Sequence, residues 1–99
     1  METDNAGQVK DRVDITYPDT YQVLMLNDDF TTMDFVVMVL TQVFRHSSAH
    51  AVQIMLQIHN EGEAVVGQYT LDIAQTKVAK VQRMAKEDGF PLRLKIEKA

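Results

Sequence analysis

Tyr21-Gln22-Val23-Leu24-Met25-Leu26-Asn27-Asp28-Asp29 joins an apolar, strand-forming run to three short polar side chains. A strongly apolar helical pattern begins just beyond it, near Met33. The run is rich in strand formers but lacks clean alternation, so both of its faces are expected to be covered at least in part. The polar triplet then sits where a strand ends and a helix begins. Such a junction exposes carboxylates to a cationic ligand with an apolar surface alongside.

Outward from this junction, Thr31 is placed to cap the next helix, and Asp34 three residues later completes a capping-box pattern. The helix is expected over about Thr32 to Phe44. Met33, Val36, Val37, Leu40 and Phe44 give it one broad apolar face, widened by Phe35, Met38, Val39 and Val43. Its valines are moderate helix formers, so burial must hold it. Ser47 caps a second helix to about Asn60, with Ala51, Ile54, Met55 and Ile58 inward and Gly62 as its stop. Ala64 to Tyr69 reads as a strand interrupted by Gly67. Thr70 caps a third helix to about Lys86, with Leu71, Ala74, Val78, Val81 and Ala85 as its buried stripe and Lys77, Lys80 and Arg83 on its wetter sides. Asp88-Gly89 and Pro91 end it. Leu92 to Ile96 alternates with period two and reads as the last strand. The order β-α-α-β-α-β implies an α/β fold: a small two-layer sandwich of a three-stranded sheet against three helices.

The chain has 99 residues, a net charge of -4 and no cysteine. That length suggests one domain with a thin core. Residues 1–17 read as a polar, aperiodic, flexible arm, with a hint of extended structure at Val13 and Ile15, and the domain is expected over 18–99. The absence of a basic stripe argues against nucleic acid and anionic membranes as partners. The absence of cysteine removes disulfides, thiolate chemistry and the common zinc clusters. No signal peptide or membrane-spanning run is evident. A soluble, cytoplasmic protein is the simplest expectation.

Asn27, Asp28 and Asp29 read structurally as turn and helix-start residues. As a site, they suit a protonated amine better than a phosphate or carboxylate. A divalent cation would also want oxygen ligands, but no regularly spaced loop is present. His59 reads either as a helix-terminus residue or as a polar contact beside an apolar pocket. His46 and His50 lack a third ligand at convincing spacing and read as surface residues. Met33, Met38 and Met55 read as core, or as the lining of an adaptable apolar pocket. Ser47 and Ser48 are the only serines, and Ser47 already has a capping role. Adjacent Asp28 and Asp29 point apart. With no Gly-rich phosphate loop either, catalysis is not expected, and neither cofactor nor metal is implied.

The run from Asn27 through Val36 closely resembles the ClpS family, bacterial and plastid adaptors of the Clp protease. The resemblance continues through Ala51 to His59, Gly62, Ala64 to Thr70, Thr76-Lys77-Val78, Pro91-Leu92 and Glu97-Lys98-Ala99. It implies a three-stranded antiparallel sheet packed on three helices. It implies an adaptor that recognises N-degrons beginning with Leu, Phe, Tyr or Trp. Such an adaptor delivers them to the hexameric AAA+ unfoldase ClpA, which feeds ClpP. By position, Asn27, Asp28 and His59 would hold the free α-amino group. Met33, Val36, Met55, Ile58 and Leu92 would line or border the side-chain pocket, with Thr31 at its rim. Asp72 and Lys77 would face ClpA, and the arm would engage the unfoldase channel. The family expectation is a monomer. Thr32 stands where many members have proline, and Ile58 where valine is common. The contrasting possibilities are an interaction domain like the C-terminal domain of the ribosomal stalk protein and, more distantly, a metal-dependent enzyme. The interaction domain would not need Asn27, Asp28 and His59 together.

Overall fold

The computed structural model describes residues 17–99. The arm expected over 1–17, apart from Tyr17, lies outside the described residues, as do Val13 and Ile15. Six elements follow in the expected order: β1 (Tyr21–Leu26), α1 (Met33–Gln42), α2 (Ser48–Glu61), β2 (Glu63–Tyr69), α3 (Leu71–Glu87) and β3 (Arg93–Lys98). The strands form one antiparallel sheet in the order β2-β1-β3. β1 is therefore central, which accounts for its apolar run from Val23 to Leu26. Val23 and Met25 join the core beneath the helices. Leu24 points the other way and is still buried, flanked in register by Val65 and Lys95. On that outer face Lys95 Nζ pairs with Glu63 at 3.1 Å and Glu97 at 3.3 Å.

The register of β1 with β2 slips between Val23 and Leu24, leaving Val66 as the extra residue of a bulge. Val66 fills the core, and its carbonyl accepts a 2.6 Å hydrogen bond from His46 Nε2. His46 is thus half-buried and engaged rather than free on the surface. The exposed His50 ring stands edge-on to it, with centroids 4.8 Å apart. Gly67 follows the bulge because a Cβ there would fall on the Tyr69 ring. That ring packs on Phe44 and lies under the Lys77 ammonium, 5.2 Å from its centroid.

The helix ends depart by one residue from the expected caps at α1. Thr32, not Thr31, caps α1 by accepting from Phe35 N at 3.2 Å, because Thr31 is committed to Asp28. Ser47 caps α2 as expected, and Gly62 ends it in the left-handed conformation at φ 93°. Thr70 holds the cap position of α3 without capping it; its hydroxyl donates to Asp72 instead, at 2.6 Å. The buried stripe of α3 is Ala74, Val81 and Ala85, with Val78 half-buried. Leu71 lies outside it, exposed in the first turn. On β3, Leu94 and Ile96 pack against the core while Arg93, Lys95 and Glu97 face out.

Lys77 departs from the wet face expected of it. It is half-buried, and its Nζ donates to the Val43 carbonyl at 2.8 Å, across 34 residues of sequence. Val43 is the C-cap of α1, whose chain then turns through Arg45 at φ 64° without a glycine. One ammonium thus satisfies an orphan helix carbonyl and clamps α3 onto the α1 terminus. Replacing Lys77 with Met keeps the apolar stem and removes the donor. It should destabilise the fold by about 1.5–3 kcal/mol in urea unfolding, the range for a hydrogen bond to a charged group.

Candidate functional site

The end of β1 is fastened to the end of α2. Asn27 N donates to the Gly62 carbonyl at 2.8 Å, just where Gly62 reverses the chain into β2. His59 lies in the last turn of α2, one turn before Gly62. The polar triplet and the imidazole are therefore brought together by a backbone bond.

Asp28 shapes the loop that follows. Its Oδ1 accepts from Phe30 N at 2.8 Å and Thr31 N at 2.7 Å, and its Oδ2 accepts from Thr31 Oγ1 at 2.7 Å. This tight turn delivers the chain to Thr32 and starts α1 beside α2. Partial burial pushes the Asp28 carboxyl up, but the bonds from Thr31 and Phe30, with the charge of Arg93, outweigh it. The carboxyl is held below the ordinary carboxylate value. Arg93 lies near because it is the register partner of Leu26, directly before Asn27.

Between the loop, α1 and α2 opens a cavity of about 260 Å³. That is below the roughly 300–1,000 Å³ of sites for drug-sized molecules and fits a single large side chain. Asn27, Asp28, Asp29, Thr31 and His59 give it a polar rim, and Met33, Val36, Met55 and Ile58 give it apolar walls. Ile58 is buried and forms part of the base, while Met33 is 46% exposed and stands free at the mouth. Among the residues expected here, Leu92 does not line the cavity; it is buried in the core just ahead of β3. Met38 packs against the core as well. Asp29 is an added lining residue, and its place in the polar triplet was the signal for it. Asp72 and Lys77, expected at a partner surface, lie on α3 and take no part in the cavity. Among the described residues no three His, Cys, Asp or Glu side chains converge as metal ligands. No described helix is long and apolar enough to cross a membrane.

A family model for the ATP-dependent Clp protease adaptor protein ClpS matches residues 16–95. The chain belongs to the ClpS family. It is 60% identical to the Leptothrix cholodnii ATP-dependent Clp protease adapter protein ClpS over 83% of this chain and 71% of that one. It is 54% identical to the Acetivibrio thermocellus ClpS over 81% of each chain. Among solved structures, Agrobacterium tumefaciens ClpS2 bound to L-phenylalaninamide superposes with a TM-score of 0.80. It shares 41% identity over 84% of this chain and all of that one. ClpS proteins are adaptors of the Clp protease rather than catalysts, and this chain is an adaptor of that type.

Because the Asp28 carboxyl is held low, its contribution to stability is complete above the ordinary carboxylate value. It is lost as pH falls through the lower folded value. Thr31→Val removes the hydroxyl donor to Oδ2 and leaves the backbone bonds in place. The acid limb of stability, followed by urea unfolding as a function of pH, should move to higher pH in this variant. An unmoved limb would mean that the hydroxyl does not stabilise the charged form.

Proposed function

We propose that this chain is an N-degron adaptor. It takes the first residue of a substrate when that residue is Leu, Phe, Tyr or Trp and carries the substrate to the ClpA unfoldase for degradation by ClpP. The observation that carries this reading is the cavity of single-side-chain size with hydrogen-bond acceptors at its rim and methionines, valine and isoleucine on its walls. A relative of the same fold is bound to L-phenylalaninamide, which has a free α-amino group and one apolar side chain.

An α-ammonium brings three N–H donors and needs acceptors in fixed directions. Asn27 Oδ1, the Asp28 carboxylate and an unprotonated nitrogen of His59 supply them. A carboxylate has about four acceptor positions. Three on Asp28 are used within the loop, which leaves one on Oδ2 for the substrate. The grip is thus largely formed before binding, and little ordering is needed when the amine arrives. Burying a Leu or Phe side chain adds about 1.5–3 kcal/mol. Acetylation removes the charge and adds bulk where the acceptors converge. A second substituent on Cβ meets the mouth, where Met33 stands. Selectivity comes from unpaired polar groups and shape as much as from attraction.

Asp72 and Lys77 are offered for the ClpA-facing surface. Asp72 is exposed, but Lys77 already has a partner within the fold. An interaction domain of the ribosomal-stalk type would leave the ring of acceptors without a use.

Peptides of one sequence beginning with Phe, Leu, Val or acetyl-Phe should separate in fluorescence anisotropy, with only the first two binding well. Equal affinity for all four would overturn the reading. His59→Ala should weaken the Phe peptide by about 1–3 kcal/mol through loss of a hydrogen bond to a charged group. An unchanged affinity would remove His59 from the site.

A further inference from the structure

On α2, Val52, Met55, Leu56 and His59 stand at i, i+3, i+4 and i+7 and so form one stripe. Met55 and His59 line the cavity. Val52 and Leu56 continue the stripe away from it and are 41% and 45% exposed. The remaining exposed positions on this part of α2, Gln53, Gln57 and Asn60, are polar, so the exposed apolar surface of the helix here lies on the flank that leads out of the cavity. Apolar side chains left in water in line with a binding cavity call for an occupant.

The geometry points to an accessory site on Val52 and Leu56 for the second and third residues of the chain whose first residue fills the cavity, with apolar side chains preferred there. This rests on the proposed function of the cavity. The bound amine lies at the His59 end, so the backbone must leave across the mouth. Leu56 is three residues from His59 and Val52 seven, a span of about 4.5–10.5 Å at 1.5 Å per residue. Two or three extended residues, at up to about 3.3–3.6 Å each, cover that span. A second copy of this chain is the poorer fit. A stable dimer buries roughly 1,200–2,000 Å², far beyond two half-exposed side chains.

The test uses the full chain and peptides labelled at the far end: Phe-Ser-Ser, Phe-Leu-Ser and Phe-Ser-Leu, each on one common tail. Leucine at the second or third position should tighten binding on the order of fivefold over serine. The double variant Val52→Ser, Leu56→Ser should erase that advantage and bind Phe-Ser-Ser as the parent does. Its urea midpoint should stay close to the parent's, since both positions are exposed. Equal binding of the three peptides by the parent would overturn the accessory site, as would an advantage that survives in the double variant. A dimer in sedimentation that dissolves in the double variant would also overturn it, assigning the stripe to a second copy. Acetyl-Phe-Ser-Ser run beside them keeps the two readings apart. Its binding as tightly as Phe-Ser-Ser overturns the amine grip itself, whatever the leucines do.

Discussion

The bond from Asn27 N to the Gly62 carbonyl is the constraint on which the site depends. It ties the end of the central strand to the reversal that terminates α2. Gly62 can accept it only because its left-handed backbone turns the chain at that point, with its own N–H donating to Ile58. With the two ends fixed, the last turn of α2 must carry its imidazole beside the first loop. The core then needs only to hold α1 and α2 apart by the width of one side chain. Val39, Leu40, Ala51 and Ile54 do so from below, as fully or nearly fully buried residues.

Asp28 serves this frame before it serves any ligand. Its two oxygens gather three donors from Phe30 and Thr31, so the loop is a closed turn and not an open strap. The same commitment displaces the cap of α1 by one residue, to Thr32. Structural and binding readings of the polar triplet are therefore not rivals. A carboxylate that starts a helix also lines the cavity and keeps one acceptor position uncommitted within the loop.

Much of this was legible in the sequence because burial imposes periods. The apolar spacing of α1 and α2, the terminating Gly62 and the alternation of β3 all have a local physical cause, and the elements lie where those causes put them. Most of the candidate site follows, since it is built where β1, α1 and α2 end or begin. What was not legible depends on contacts across long stretches of chain. Thr31 and Thr32 are equivalent as caps until Asp28 claims one of them. Lys77 has the spacing of a wet residue, and only the fold sets Val43 in front of it. Leu71 fits the stripe of α3 by period but is exposed in the first turn, and Leu92 is drawn into the core instead of the cavity. Gly67 looked like a flaw in a strand; it is the place where a bulge and an aromatic ring share one space.

The strand order carries a dynamic consequence. Among the described residues β2 and β3 each pair along one edge only, whereas β1 is laddered on both sides along its whole length. Local opening starts where backbone bonds are fewest, so fluctuation should enter from the flanks and reach the middle last. The turn that rims the cavity hangs from that middle strand. Its rigidity is inherited from the most durable rung of the sheet, so the rim holds its shape while the outer strands breathe.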